Sequence, residues 1–320
     1  MVDLEYIQEL NDIKELGYIN IRDGKILNSI LPQSNIYIKD FDLVKLYLTD
    51  YCKYNDNFGG EFYVCLYDGW REYTEYCENE YRIYKKWNEL DNKNMYLNIG
   101  SLGEPRFMNN NDNYNIYPEL SLPVLTYCRH LNDRNSLLIP DREFLENNFR
   151  DYTDQVLKYD INWENKVDKF IWRGSPNVNN GNLKYNHNNI VKHQRLMSND
   201  ISCMYNDIYT SSFEKTSIEE MLNYKYLVDI DGMVNAFSGL YWKLLSNSVV
   251  VKVKSHWEQW YYNELKEYEH YIPLENFYQV PYLWKMMIEN QDRSKIISEN
   301  ATKLAKKLTY EYAVKEYKIR

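Results

Sequence analysis

Residues 226–253 read YLVDIDGMVNAFSGLYWKLLSNSVVVKV. Tyr226–Ile230 and Ser248–Val253 are compact apolar runs, each predicting a buried strand, and the segment between them has helical spacing. Asp231-Gly232 stands as a turn pair after the first strand. A strand, a glycine turn and a helix start form a natural anion site, because free helix N–H groups point outward there. The rest of the chain can be read as serving a crevice at this point.

Outward from this stretch, strands and helices alternate. Lys169–Arg173 (KFIWR) is a strand that breaks at Gly174-Ser175-Pro176, and an Asn-rich loop leads on to a helical pattern carrying His193, Arg195 and Leu196. Trp257, Trp260, Tyr261, Leu265 and Tyr268 fall at helical spacing and predict an aromatic-rich helix. Ile297, Ala301, Leu304 and Leu308 share one face of a closing helix, which must pack against something. In the first half, Arg22-Asp23-Gly24-Lys25 marks a hairpin, a helix follows near Phe41–Tyr51, and Phe62–Tyr67 and Leu122–Tyr127 are strands. The first of these ends at Asp68-Gly69-Trp70, where an acid would line a crevice or close the strand as an Asx-turn. Leu137-Leu138-Ile139 runs into Pro140-Asp141 with a helix after it. The alternation predicts an α/β protein of two Rossmann-like domains, residues 1–150 and 151–300, with a helix over 301–320.

Composition narrows the partners. A chain of 320 residues supports two ordinary domains, each with ample core. The 33 Tyr, 8 Trp and 10 Phe read first as packing and rim residues. A net charge of -9 with no offsetting basic stretch argues against a nucleic-acid partner. Cys52, Cys65, Cys77, Cys128 and Cys203 are odd in number and scattered without a CxxC pair, which predicts a reducing compartment. The opening MVDLEYIQELNDIKEL reads as an acidic helix rather than a signal peptide, and no apolar run approaches a membrane span. A soluble, cytoplasmic protein is therefore expected.

Several residues carry chemistry. Trp172-Arg173-Gly174-Ser175 puts a guanidinium fork, a side-chain-free approach and a hydroxyl at a strand end, which suits a diphosphate. Arg195 could add a second cation. With no Walker Gly-Lys motif, ATP hydrolysis is disfavoured. Asp229-Ile230-Asp231 has the form of a DxD metal motif, since alternate strand residues share a face. Before Gly232, however, Asp231 better suits a helix cap or an acceptor from a sugar hydroxyl, so no metal is expected. Ser238, Tyr241, Trp242, Ser246 and Ser248 surround the following helix and offer hydroxyls and stacking faces, although Trp242, like Leu245, better suits the helix's buried face. His256 could donate to a ligand or cap a turn, and the other histidines show no metal spacing.

WRGS at Trp172–Ser175, the block Asp229–Val253, and HWEQWYYNELKEYEHYIPL at His256–Leu274 resemble glycosyltransferase family 90. That family holds capsule-associated and lipopolysaccharide-modifying glycosyltransferases and protein O-glucosyltransferases. YVCLYDGW around Asp68, LPVLTYCR around Thr126 and the IPD of Ile139–Asp141 resemble it more loosely. The resemblance implies a GT-B architecture, with the UDP-sugar in the second domain, the acceptor in the first, and the C-terminal helix crossing back. It also implies inverting transfer of a sugar, glucose or xylose, to a hydroxyl of a glycan or glycoprotein, without a metal or other cofactor. Asp68 matches the family's base, and Trp172, Arg173, Gly174, Ser175, Arg195, Asp231, Gly232, Ser238, Trp242 and Ser248 fall on the donor side. Several animal members carry an arginine in the block matching Asn235–Leu240, where this chain has Ala-Phe-Ser-Gly-Leu. Phosphate neutralisation would then lean on Arg173, Arg195 and backbone amides. Two alternatives stay open: a non-catalytic nucleotide- or glycan-binding protein, and a metal-dependent transferase using Asp229 and Asp231.

Overall fold

The computed structural model describes residues 16–33, 35–66, 122–131, 135–175, 190–214, 216–231, 235, 237–255 and 257–320, and the backbone of 95–99 and 105–109. The first half runs β1 (Leu16–Arg22), β2 (Lys25–Ile30), α1 (Ile38–Cys52), β3 (Gly60–Cys65), β4 (Met95–Ile99), β5 (Pro105–Asn109), β6 (Val124–Thr126), β7 (Cys128–His130), β8 (Ser136–Leu138), α2 (Arg142–Asn147) and α3 (Arg150–Tyr159). Asp23 and Gly24 both take positive φ, 52° and 68°, the two-residue turn that matches strand twist and closes β1 on β2. The sheet order is β2-β1-β3-β6-β8. β1 is antiparallel to β2 and to β3, while β3, β6 and β8 are parallel. This half is thus a mixed sheet with an antiparallel side, where uniform alternation had pointed to crossover-linked parallel strands.

The second half runs β9 (Val167–Arg173), α4 (Ile190–Met204), β10 (Tyr209–Ser212), α5 (Ile218–Met221), β11 (Tyr224–Asp229), α6 (Gly239–Leu245), β12 (Val249–Val253), β13 (Trp257–Gln259), β14 (Ile272–Leu274), α7 (Val280–Glu289), α8 (Gln291–Lys307) and α9 (Tyr310–Lys315). Its sheet, β10-β9-β11-β12-β14, is parallel throughout. Numbered along the chain this is the doubly wound order 2-1-3-4-5, whose connections reverse direction between β9 and β11. β12 is buried at every position, which is why VVVKV has no polar alternation.

The expected aromatic helix after residue 256 is not formed. Trp257–Gln259 is instead a strand paired antiparallel with β7, Trp257 opposite His130. Trp260 and Tyr261 then turn into the core, and a 3-10 turn follows at Tyr262–Glu264. The aromatic spacing reflects burial against several elements rather than one helix face.

Two further connections tie the halves. The β7–β13 ribbon carries an ion pair from Arg129 Nε to Glu258 Oε1 at 2.6 Å. α8 packs on α6 and β12, and the chain then returns to α1 through α9. There the Tyr47 hydroxyl donates to Ala313 O at 3.1 Å, and Asn55 Nδ2 donates to Val314 O at 2.9 Å. Tyr317 donates to Leu138 O, and Leu138 N donates to Arg320 O. One apolar cluster runs through Ile19, Val64 and Leu138 to Leu227, Val250, Ala301 and Tyr312. Among the described residues, no helix is long and apolar enough to cross a membrane.

Asn55 is the polar hub of this return, bonding Tyr51 O and Val314 O and accepting from Lys318. Asn55→Ala takes the side-chain donor from the buried Val314 O and should lower unfolding free energy by about 1–3 kcal/mol in urea titration. Cleavage within 308–320 by added protease should quicken in parallel.

Candidate functional site

In an open parallel sheet, ligands bind at the carboxyl ends of the strands where the connections diverge. Here that point lies between the ends of β9 and β11. Arg195, from α4, spans it. Its Nε and Nη2 donate to Asp231 O at 3.1 and 2.6 Å, and its Nη1 donates to Ser175 O at 2.7 Å. The guanidinium lies 5.7 Å from the centre of the Trp172 ring. Trp172, Gly174, Ser175, Arg195 and Asp231 therefore meet at one place, Arg195 stitching the two strand-end loops together. Only Ser175 of the five is exposed.

Gly174 is needed there for contact rather than for backbone freedom. A Cβ at this position would lie 2.7 Å from Cζ2 of the buried Trp172 ring. Arg173, one residue earlier, points to the other face, as strand alternation requires. It donates to Thr210 Oγ1 at 3.1 Å and to Trp172 O, with Glu220 at 3.7 Å. The structure does not bring it to Arg195.

The end of β11 is a buried charge network. Burial alone would raise the Asp229 carboxyl, but the ammonium groups of Lys243 and Lys252 outweigh it and hold it at about 2. Lys252, desolvated but facing Asp231 and Asp229, is held above the ordinary lysine range. The Asp231 carboxylate accepts from the Lys252 ammonium and from the Ser255 hydroxyl. The expectation that it caps the next helix is not met, because α6 starts only at Gly239. The N–H of Ser238 at that helix start donates to Glu143 Oε2 at 3.1 Å, and Tyr152 donates to Glu143 Oε1 at 2.9 Å. A carboxylate from the first half thus already occupies the place where the strand–turn–helix reading put a bound anion.

Ser248 is far from this end. It lies at the amino end of β12 and donates to Tyr224 O, at the amino end of β11, at 2.7 Å. Trp242 is a buried core residue, with the Lys243 ammonium 5.5 Å from its ring centre. Asp68, Gly232 and His256 lie outside the described residues. Sequence reasoning missed Lys243, Lys252, Ser255 and Glu143. One signal existed: a lysine inside the buried run VVVKV requires an anionic partner, and strand register sets it beside Asp229. Among the described residues, no three or more His, Cys, Asp and Glu are grouped to hold a metal ion.

A third cluster lies where the halves meet. Asp141 caps α2 by accepting the Phe144 N–H at 3.1 Å, but its Oδ2 has no partner. Burial pushes this carboxyl up to about 7. The hydroxyls of Tyr127 and Tyr261, both buried and raised by burial, also have no partner.

The geometry so far defines an α/β protein with a switch-point crevice backed by neutralised carboxylates. Glycosyl transferase family 90 matches residues 95–319, and the chain belongs to that family. Protein O-glucosyltransferase 2 of Danio rerio is 26% identical over 167 residues, 47% of this chain and 32% of that protein. O-glucosyltransferase rumi of Drosophila pseudoobscura pseudoobscura is 35% identical over 63 residues, 20% of this chain and 15% of that protein. The chain thus spans a third or less of these curated relatives.

Two measurements probe this region. Gly174→Ala must displace the buried Trp172 ring and should cost about 1–3 kcal/mol in urea unfolding. Asp141 binds its proton more tightly folded than unfolded, so its contribution is full below the unfolded value of 3.8 and is lost as pH rises through about 7. Asp141→Asn keeps the cap and removes this loss. Variant and wild type should match near pH ~4, the variant gaining up to about 4 kcal/mol above pH ~7.

Proposed function

We propose that the protein is an inverting, metal-independent glycosyltransferase that moves a sugar from a UDP-sugar to a hydroxyl of a glycan or glycoprotein. The observation that carries the reading is the meeting of Gly174, Ser175, Arg195 and Asp231 at the switch point of a family 90 chain. The exposed Ser175 lies beside side-chain-free Gly174, so a diphosphate could approach the backbone there. Arg195 contributes a buried cation behind it. The sugar's anomeric carbon would face the first half, in the GT-B manner, with residues 1–150 on the acceptor side and 151–300 on the donor side. Asp68 would take the proton of the attacking acceptor hydroxyl as the bond to UDP breaks, inverting the anomeric carbon. Metal independence is supported by the lysines already bound to Asp229 and Asp231. Glucose is the first sugar to try, because both relatives are named O-glucosyltransferases, and xylose is the second. Five scattered cysteines with no CxxC pair fit a reducing compartment such as the cytoplasm.

Purified protein should bind UDP and slowly hydrolyse UDP-glucose or UDP-xylose in the presence of EDTA. Asp68→Asn should lower turnover by about 10²–10⁴-fold while UDP affinity stays within roughly twofold. No binding of UDP and no hydrolysis of any UDP-sugar would reject the reading. Turnover unaffected by Asp68→Asn would remove that residue as the base.

A further inference from the structure

We propose that Lys252 is the resident cation of the Asp229–Asp231 pair and a positioning residue for the turn at the switch point. Its ammonium takes the place that a divalent ion takes between two carboxylates. Lys252 Nζ lies 3.2 Å from Asp229 Oδ2 and 3.2 Å from Asp231 Oδ1. The other two oxygens are used as well, Asp229 Oδ1 accepting from Lys243 at 2.6 Å and Asp231 Oδ2 from the Ser255 hydroxyl. The Tyr262 ring centre stands 5.2 Å from the same ammonium. All four charged residues are buried.

Two ammonium groups against two carboxylates leave the set neutral. Truncating Lys252 leaves one buried negative charge and two carboxylate oxygens converging on a vacated point, with the Ser255 hydroxyl alongside. Carboxylate and hydroxyl oxygens are the ligands that hard divalent ions choose. The spacing that makes Asp229-Ile230-Asp231 resemble a metal motif is therefore real, and the cation it serves is supplied by the chain.

The positioning role follows from what Asp231 does with its other end. Its backbone oxygen accepts both Nε and Nη2 of Arg195, which also holds Ser175 O. Lys252 fixes the carboxylate while Arg195 fixes the carbonyl, so one residue is clamped at two points. Releasing the carboxylate lets the carbonyl leave Arg195, and the Ser175 loop loses its brace. This second role rests on the donor site proposed above; the cation exchange does not.

The test titrates wild type, Lys252→Met and Lys252→Gln with Mn²⁺, reading melting temperature and the electron paramagnetic resonance signal of free Mn²⁺. Each Lys252 variant should take up one equivalent of Mn²⁺ and gain melting temperature; wild type should do neither. Adding Asp231→Asn to Lys252→Met should abolish uptake. A variant that folds only when refolded with Mn²⁺ also supports the exchange. Variants indifferent to Mn²⁺, whether folded or not, or uptake surviving Asp231→Asn, overturn it. In a second arm, metal-free Lys252→Met should bind UDP roughly tenfold more weakly, recovering with Mn²⁺. Unchanged UDP affinity overturns the positioning role. A wild type that binds no UDP defeats the donor reading, leaving the exchange to be judged on the Mn²⁺ arm alone.

Discussion

Asp231 is where the constraints on this structure converge. Its carboxylate is held by Lys252 and Ser255 and its carbonyl by Arg195, and through Arg195 the end of β11 is tied to the end of β9. The crevice of a doubly wound sheet exists only if the loops on its two sides stay apart at a fixed distance. Here that distance is set by one guanidinium spanning two backbone oxygens. Such a brace needs both carbonyls to be immobile, and the ion pairs beneath Asp231 supply that immobility on the second-half side.

Burying four charged groups in a core is costly, since each must leave water. The arrangement offsets this by giving every carboxylate oxygen of Asp229 and Asp231 a donor and by balancing charge within the set. A well-packed apolar replacement could be as stable. What an apolar set could not do is fix the turn's orientation, because dispersion contacts lack direction whereas the N–H···O bonds here select one geometry. Glu143 acts likewise across the seam, setting the start of α6 from a helix of the other half.

Features decided within a few residues were legible in the sequence. The Asp23-Gly24 hairpin, the strands at β3, β6, β11 and β12, and the helix opening after Asp141 follow from turn chemistry, caps and apolar runs. So was the meeting of Gly174, Ser175, Arg195 and Asp231, because strand ends in a parallel sheet share one edge. What stayed hidden depends on partners far along the chain. Trp257 is a strand residue because it faces His130, and the spacing of its aromatic neighbours carries no trace of that. Arg173 reads as a phosphate ligand until strand alternation and Thr210 turn it aside. Ser248 is a plausible donor residue until β12 sets it at the wrong end of the sheet.

The return of α9 to α1 bears on how the chain acquires its fold. Tyr47 and Asn55 wait for Ala313 and Val314, so the first sheet's helix layer stays incomplete until residues more than 250 positions further along have been made. Contacts at such separation form late and slowly, since a very long loop must close before they reward it. Through that interval the apolar faces of α1 and β8 are open to other nascent chains. Apolar surface exposed in this way is what makes a partly folded chain prone to misassembly.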